Sequence, residues 1–583
     1  MIFLALCLTF HAVAQESTSE STSDVPAKET STQDAPPSET PAEPAPTPDP
    51  SETVSGNKEA AGKEGESPAD APPADAPPAD TAPDAQGTAS EESTTAGAPE
   101  TEPSTPPAAE EESEDKEELG KVWGNLRWIA SYASDFPVDA EGTTLGQHAW
   151  LDQRVRLGGS FKFGITEIST EWELGTPQLI GDTWGIPGSE DERRRDIRTL
   201  WVRPRQALVV SYLGNFQIQA GLTTSHWGLG MLANDGNQEH WFGRSDFGDR
   251  VVRLRATRLP YQPDGPAKRV SMFLTAAADL VVADEIGSLR NGQLAGQGIL
   301  SALWETRSGN KWGAYAVLRH QRERDRSRST TALATDVYAD FHWDAGKWQI
   351  RAAAEAALIA GTTSRATTYN ARNSQTVLQA GATGLVEITD KDDRFAIRLR
   401  SGYASGDANS DDGMTSDFIF DRDFAAGMVL FDQYTGSIEA NTYHLINNPE
   451  LTGKGPDGAD ALVTEGAFKR SIFLQPAISI RPISWATVRV GTTLTVAPLP
   501  LAHPYYTYRA GGSPRNHHNM PTDAGWMGTE LNWAVQLHSL GSNTETSPTI
   551  ALQAGHLLPG KALVATADQQ WIHHVMGTVL VRW

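Results

Sequence analysis

The stretch MGTVLVRW, residues 576–583, ends the chain and decides the fold. Trp583, Val581 and Val579 alternate with more polar positions, among them Arg582. Because a β-strand sends successive side chains to opposite faces, this strand would have one apolar face and one face carrying an arginine. A half-buried strand of a soluble sheet and a strand in contact with lipid both fit this pattern, so the rest of the chain has to discriminate between them.

The same two-residue period recurs along the C-terminal four-fifths of the chain. In residues 150–163, for example, Leu151, Val155 and Phe161 alternate with Asp152 and other polar side chains. Periodicity of this kind indicates β-strands. It predicts 18 of them, near 123–132, 150–163, 166–174, 197–212, 215–224, 250–259, 269–282, 295–305, 312–323, 332–343, 347–359, 375–388, 394–405, 466–481, 484–497, 526–538, 547–556 and 570–583.

The connections between these strands alternate in length. Short ones, such as 164–165 and 389–393, are separated by long ones, such as 225–249, 406–465 and 498–525. Transmembrane barrels have short periplasmic turns and long extracellular loops, whereas a soluble sandwich has no reason to alternate in this way. We therefore predict an all-β fold, a closed transmembrane antiparallel barrel of about 18 strands (16–18) spanning residues 120–583, in the bacterial outer membrane. Seven tryptophans near the ends of predicted strands are expected in its aromatic girdles: Trp123, Trp150, Trp172, Trp201, Trp343, Trp348 and Trp485.

A chemically different segment precedes the predicted barrel. Residues 15–119 lack Phe, Trp and Tyr, contain 18 of the 36 prolines, and have 27 acidic residues against 4 lysines. Such a segment cannot bury enough apolar surface to offset its ordering entropy. We expect a disordered acidic periplasmic tail, either a solvated spacer or a tether that contacts the cell wall. The tail accounts for −23 of the formal net charge of −26, so nearly all of the net negative charge of the chain lies in this segment.

Residues 1–14, MIFLALCLTFHAVA, resemble a secretory signal peptide, with an apolar run followed by small residues. Cys7 lies within this segment and is the only cysteine. A mature protein without it would have no disulfide, no zinc–thiolate site and no cysteine nucleophile.

Three stretches resemble known outer-membrane proteins. Residues 200–230 resemble the paired strands of porin-like proteins, and residues 528–537 (GTELNWAVQL) and 555–563 (GHLLPGKAL) resemble the closing strands of alginate-export channels. ASDFPVDAEG (133–142) and TSHWGLGMLANDG (224–236) resemble uncharacterised outer-membrane proteins with an acidic Pro-rich N-terminal tail. The resemblance implies a channel. The alginate-export group has a strongly basic lumen, however, and the lumen expected here has mixed charge.

Charged residues on the polar face of the strands are the candidate pore lining. A hydrated lumen with a weak charge preference would suit passage of small polar or anionic solutes, or of a polysaccharide. The alternative is that these charges pair across the lumen and close it, leaving a surface scaffold or adhesin that acts through long acidic loops. The candidate lining residues are Arg154, Arg156, Lys162, Arg351, Arg398, Arg400, Arg489, Asp152, Glu171 and Asp340.

One loop segment has the oxygen-rich spacing of calcium loops. In GDANSDDG (406–413), Asp407, Asn409 and Asp411 are candidate Ca²⁺ ligands at alternate positions. The EF-hand pattern is not met, and a polar turn with side-chain caps explains the same residues. Loop 406–465 also contains 12 acidic residues against 2 basic ones, which favours bound cations or bridged lipopolysaccharide.

No other motif indicates a catalytic or nucleotide-binding function. The sequence contains no phosphate loop, nucleotide fingerprint or basic patch for nucleic acid, so we predict neither an enzyme nor a resident cofactor apart from Ca²⁺. The expected partners are outer-membrane lipid, lipopolysaccharide and the barrel assembly machinery, which recognises a C-terminal aromatic strand of this kind.

Overall fold

A computed structural model describes the chain from Gly120 to Trp583, apart from several loop segments. The described ranges are 120–144, 148–174, 178–181, 202–259, 270–324, 327–365, 374–409, 412–451, 464–538 and 547–583. The predictions for residues 1–119, for Trp201 and for Asp411 lie outside these ranges.

The described residues form twenty strands, of which eighteen make the barrel and two are short additions. The strands are β1 (Gly120–Ala133), β2 (Ala149–Phe163), β3 (Thr166–Leu174), β4 (Gln178–Gly181), β5 (Val202–Leu213), β6 (Phe216–Thr224), β7 (Arg250–Arg258), β8 (Val270–Ala283), β9 (Leu294–Thr306), β10 (Lys311–Arg322), β11 (Ser329–Ala345), β12 (Trp348–Thr363), β13 (Gln375–Asp390), β14 (Phe395–Ala404), β15 (Met414–Thr415), β16 (Ile472–Ile483), β17 (Ala486–Ala497), β18 (Gly525–His538), β19 (Ser547–Pro559) and β20 (Ile572–Arg582).

The eighteen long strands close on themselves. Each pairs antiparallel with its neighbour along the chain, β3 with β5 and β14 with β16, while β4 lies beside β2 and β15 runs parallel to β13. β1 then pairs with β20, from Asn125 opposite Arg582 to Ala133 opposite His574. A closed sheet leaves no unpaired strand edge. The predicted 18-stranded antiparallel barrel is confirmed, and the strand bounds differ from the predicted ones by a few residues.

The two-residue turns all lie at one end of the barrel. The turns at 164–165, 214–215 and 346–347 have two residues each, whereas the opposite end carries 225–249 and 405–471. Both ends of the barrel chain, Gly120 and Arg582, lie at the short-turn end. The alternation that the sequence predicts is therefore present in the structure.

The outer face is apolar across neighbouring strands. Leu300 on β9, Leu318 on β10 and Val337 on β11 are 67%, 58% and 57% exposed. At the C-terminus, the ring of Trp583 lies over Gly124, where an added Cβ would come within 2.4 Å of it. The two residues also exchange backbone hydrogen bonds of 2.9 and 3.1 Å. The apolar face of the final strand thus belongs to the outside of the barrel, as its alternation predicts.

Two tryptophans lie on the other face from the one predicted. The sequence placed Trp123, Trp150, Trp172, Trp201, Trp343, Trp348 and Trp485 in aromatic girdles at the ends of strands. In the structure Trp123 faces inward, with its Nε1 donating to Glu171 at 3.4 Å. Trp150 is 4% exposed and stacks on His574. The prediction was wrong for these two because it used their distance from the strand end and ignored the parity of the strand.

Three helical segments lie in the long loops. A π-helical turn (Val429–Tyr434) leads directly into α1 (Thr435–Asn447), and α2 (Pro504–Arg509) follows β17. Single 3₁₀ turns occur at Leu289–Asn291 and Thr566–Asp568. None of the helices in the described ranges has the length and apolarity needed to cross a bilayer.

Candidate functional site in the barrel lumen

Two long loops fold into the interior of the barrel. The first inserted loop (225–249) connects β6 to β7. The second inserted loop comprises residues 405–409, 412–451 and 464–471 of the connection between β14 and β16. An interior of about 18 strands is too wide for wall side chains to fill unaided. The two inserted loops occupy this space. The function of the lumen therefore depends on the contacts that hold these loops in place.

The first inserted loop contacts the barrel wall on several sides. Trp227 Nε1 donates to Asp336 of β11 at 2.8 Å, and the backbone N–H of Leu229 donates to Glu355 of β12. Farther along the loop, Gly243 N donates to Gln553 of β19 at 3.1 Å. Because these strands lie on different sides of the barrel, the loop crosses the lumen.

The β1–β5 wall holds the first inserted loop through ion pairs. Four of the candidate pore residues lie here. Arg154 pairs with Asp246 at 3.3 Å, and Asp152 pairs with Arg244 at 2.7 Å. Arg156 pairs with Glu173 at 2.9 Å and donates to Asn237 at 2.8 Å, while Glu171 pairs with Arg205 at 2.7 Å. These charges are engaged with loop or wall partners.

The second inserted loop docks on a buried carboxylate. Glu530 of β18 is 1% exposed and accepts hydrogen bonds from the backbone N–H groups of Met428, Val429 and Leu430, at 2.6, 3.2 and 2.8 Å. These donors open the helical segment that continues into α1. A helix N-terminus has unsatisfied N–H groups and a positive dipole end, so a carboxylate is its natural partner.

Asp423 joins the two inserted loops. Its carboxylate accepts from the backbone N–H groups of Asp246, Phe247 and Gly248, at 2.5, 3.0 and 2.6 Å. Beneath this junction lies His240, whose Nε2 is 2.8 Å from the Asp423 carbonyl oxygen. Burial, together with the positive charge of Arg400, lowers the pKa of His240 to about 4, so this imidazole is neutral at physiological pH.

An apolar cluster fills the space between the second inserted loop and the wall. The run Met428–Phe431 is buried within it, and Phe420, Phe424, Phe468 and Phe473 make edge-on or tilted ring contacts. Offset ring contacts of this kind add to the stabilisation from burial. The second inserted loop therefore packs against the barrel wall through a buried apolar core.

Arginines converge on loop aromatics along the β14–β17 wall. The guanidinium carbons of Arg398 and Arg489 lie 4.0 and 5.8 Å from the centre of the Trp241 ring, and that of Arg400 lies 4.9 Å from the centre of Phe424. Such stacking is the geometry of cation–π attraction. We call Arg398, Arg400 and Arg489 the arginine cluster.

The arginine cluster has more positive than negative charge. Arg398 pairs with Glu387. Arg400 donates to the Ala425 carbonyl oxygen at 2.7 Å, and Arg489 donates to the Gln536 amide oxygen at 2.8 Å. Two of the three cations therefore donate to neutral oxygens, which leaves net positive charge here.

Three other candidate pore residues lie elsewhere on the lumenal side. Arg351 is 36% exposed at its side chain and pairs with Asp340 at 2.7 Å, so this couple is neutral overall. Lys162 is exposed near the short-turn end, opposite Glu167 in the β2–β3 register. The candidate residues thus fall into a loop-holding group, the arginine cluster and these separate positions.

The predicted calcium ligands are only partly described. Asp407 is 7% exposed, and its Oδ1 accepts from the backbone N–H of the exposed Asn409 at 3.0 Å. Burial, aided by the nearby Asp417 carboxylate, raises the pKa of Asp407 to about 7. The Asp407–Asn409 contact is the side-chain cap of a polar turn, which was the alternative interpretation of this segment.

Sequence reasoning missed several residues that organise the lumen. Trp241, Asp423 and the docking role of Glu530 carry no local signature, since their partners lie far away in the chain. A signal existed for Glu530 alone, because a carboxylate on the inward face of an otherwise uncharged strand needs a partner.

Comparison with known proteins gives structural similarity only. No family model matches the chain, and no curated protein matches it. Among solved structures, Pseudomonas aeruginosa OccK11 (OpdR) is 9% identical with a TM-score of 0.43, covering 79% of this chain and 95% of that one. OccD3 (OpdP) of P. aeruginosa is 10% identical with a TM-score of 0.44, covering 80% and 91%. The outer membrane protein OprD of P. aeruginosa is 11% identical with a TM-score of 0.43, covering 80% and 94%.

The chain shows a distant structural similarity to channels of the Occ/OprD family. At this identity and TM-score no substrate and no residue role transfers from them.

Proposed function

We propose that the protein is an outer-membrane channel for small anionic or polar solutes, with the arginine cluster along its path. The main support for this proposal is the net positive charge of Arg398, Arg400 and Arg489, which surround Trp241 and Phe424. Charged side chains that line a narrow water-filled segment set the sign of the ions that pass. The arrangement therefore favours anions.

Solvent-exposed charges on the lumenal side of the barrel support a hydrated path. The side chain of Glu239, in the first inserted loop, is 59% exposed and contacts Arg582, whose side chain is 42% exposed. The side chains of Arg481 on β16 and Arg351 on β12 are 31% and 36% exposed. With two loops inserted, the path suits small solutes better than a polysaccharide chain.

The outer surface supports placement in the bacterial outer membrane. Apolar side chains cover the middle of the barrel, and exposed aromatics such as Trp343 and Phe216 at the short-turn end and Tyr132 and Trp571 at the other flank them. Outer-membrane barrels have this apolar band with aromatic girdles. The short turns would face the periplasm, with the predicted acidic tail on the same side, and the acidic long loops would face lipopolysaccharide.

Ion selectivity of the full chain in a planar bilayer tests the channel. We expect discrete conductance steps with anion preference, measured as the reversal potential in a KCl gradient. The double variant Arg398→Glu with Arg489→Glu should shift that potential toward cation selectivity. Arg394→Glu, at an exposed turn position between β13 and β14, is the matched control and should leave it unchanged. If the double variant conducts with unaltered ion selectivity, the ion path does not run along the arginine cluster.

The apolar packing of the second inserted loop favours a second candidate, a closed barrel that acts as a surface scaffold. The cluster around Met428–Phe431 and the Phe420–Phe468 contact is dense enough to seal its side of the lumen. A folded, heat-modifiable barrel without conductance would support this function and refute the channel. The acidic loops would then be the binding surface.

A further inference from the structure

Three carboxylates from three separate segments converge at one point away from the arginine cluster. Asp249 ends the first inserted loop, Glu285 lies in the β8–β9 connection, and Asp421 belongs to the second inserted loop. One carboxylate oxygen from each lies within 4.8 Å of the others. Residues so distant in sequence meet only because of the fold.

Asp421 directs an unsatisfied oxygen into this cluster. The residue is 3% exposed, and its Oδ1 accepts from the backbone N–H of Asp423 at 2.7 Å. Its Oδ2 is inaccessible to solvent, and no N–H or hydroxyl group of the described residues donates to it; the side chain within hydrogen-bond reach of the Asp421 carboxylate is the Glu285 carboxyl. A buried carboxylate oxygen without a donor is costly, so it needs a cation or a proton.

The neighbouring cations are engaged elsewhere. Arg319, which faces the cluster, forms an ion pair with Asp284 and donates to Gln321 at 2.6 Å. In the described part of the chain no arginine or lysine forms an ion pair with the three carboxylates. Burial, with the adjacent Asp284, raises the pKa of Glu285 to about 7, and burial with Glu285 raises that of Asp421 well above its usual range. Like charges held this close cannot all stay ionised without a counter-ion.

We propose that Asp249, Glu285 and Asp421 bind a divalent cation, with Ca²⁺ the preferred ion. The donors are hard carboxylate oxygens, without histidine or cysteine, which is the ligand set of Ca²⁺ and Mg²⁺. Ca²⁺ accepts irregular geometry from separate segments more readily than Mg²⁺, which requires near-octahedral coordination. The bound ion would tie the second inserted loop to the wall and to the first. The inference does not depend on whether the barrel conducts.

Thermal unfolding of the full chain in detergent, after removal of divalent ions by EDTA, tests the site. Ca²⁺ should raise the midpoint of the unmutated protein because it binds the folded state alone. In Asp421→Asn the Ca²⁺ dissociation constant, measured by calorimetry, should rise at least ~10-fold. In EDTA the same variant should melt at or above the unmutated midpoint, since it loses a repelling charge. A midpoint that is not lowered shows that the variant is folded, so a lost Ca²⁺ response cannot be explained by misfolding.

Asp407→Asn is the matched control, because it removes a buried carboxylate from the same inserted loop but outside the cluster. It should keep the Ca²⁺ response, and Glu285→Gln should lose it. A response abolished by Asp407→Asn and retained in Asp421→Asn would assign calcium to residues 406–413 and overturn the proposal. Stabilisation at low pH without any response to Ca²⁺ would assign shared protons to the cluster and overturn it too.

Discussion

Glu530 allows a direct test of how the second inserted loop is held. Its two carboxylate oxygens accept three backbone N–H groups, one on Oε1 and two on Oε2. Hydrogen bonds to a charged group contribute about 1.5–3 kcal/mol each, and bonds that share one acceptor group are not additive. We take about 3 kcal/mol as the cost of removing the set by Glu530→Ala.

That cost should appear as local opening of the loop, because the barrel strands keep their own pairing. About 3 kcal/mol corresponds to a roughly 150-fold larger open population, since each 1.4 kcal/mol is about tenfold. Chymotrypsin cleavage after Phe431 and Tyr434, which are 7% and 1% exposed, should accelerate by about that factor when opening is fast relative to cleavage.

Glu530→Gln should have a smaller effect. An amide oxygen at the Oε2 position still accepts from Val429 and Leu430, while the amide nitrogen faces the Met428 N–H. We expect acceleration by about tenfold, since the two remaining bonds become neutral and the third is lost. The ranking alanine above glutamine above unmutated distinguishes a docking role from a general loss of packing.

Mass spectrometry of timed digests in detergent measures these rates. Asp523→Ala, at an exposed position just before β18, is the control and should cleave like the unmutated chain. Unchanged protection of Phe431 and Tyr434 in Glu530→Ala would refute the idea that this carboxylate holds the loop. Where the barrel conducts, the alanine variant should also give larger or noisier current steps.

Three further predictions concern His503, Trp583 and residues 15–119. Burial and Arg470 lower the pKa of His503 to about 3. Its contribution to stability is therefore full above about pH 6.5 and declines as pH falls toward 3. Corrected hydrogen-exchange protection of α1, which contacts His503 through Thr442 at 2.8 Å, should decrease between about pH 6.5 and 5, and should decrease less in His503→Gln; equal slopes would contradict this role of His503. Trp583→Ala should lower the urea midpoint of the barrel by an amount equivalent to about 1–2 kcal/mol, because the ring covers Gly124; an unchanged midpoint would contradict that packing. Deleting residues 15–119 should leave a heat-modifiable barrel on gels, and failure to assemble would contradict the spacer prediction.

The barrel could be predicted from the sequence because its signals are local. Each strand repeats a two-residue period, and the alternation of short and long connections needs no knowledge of tertiary contacts. The errors at Trp123 and Trp150 arose where position along the strand was used instead of parity. Arg127 on the strand of Trp123, and Asp152 and Arg154 on that of Trp150, already indicated the inward face.

The contacts within the lumen could not be predicted, because they join distant parts of the chain. Glu530 meets Met428 across 102 residues, and Glu239 meets Arg582 across 343. Neither partner has a distinctive neighbourhood in the sequence. The same limitation applies to the proposed cation site, because Asp249, Glu285 and Asp421 converge only in the folded chain, whereas the acidic residues of 406–413 alternate locally.

The charged side chains of the two lumen walls have different kinds of partner. This difference would allow a chain with net negative charge to favour anions. On the β1–β5 side, arginines such as Arg154 and Arg156 pair with Asp246 and Glu173 and so hold the first inserted loop. On the β14–β18 side, a carboxylate, Glu530, holds the second inserted loop through backbone N–H groups, which carry no net charge to oppose an anion.

The arginine cluster lies on this second side. Its contacts with the inserted loops are to neutral groups, the rings of Trp241 and Phe424 and the Ala425 carbonyl oxygen, so these contacts leave its positive charge in place. An anion path should therefore follow the β14–β17 wall. Neutralising Arg489, which donates to the Gln536 amide, should reduce anion preference more than neutralising Arg154, whose loss leaves Asp246 still paired with Arg127. Equal effects of Arg489→Gln and Arg154→Gln on the reversal potential would refute this asymmetry.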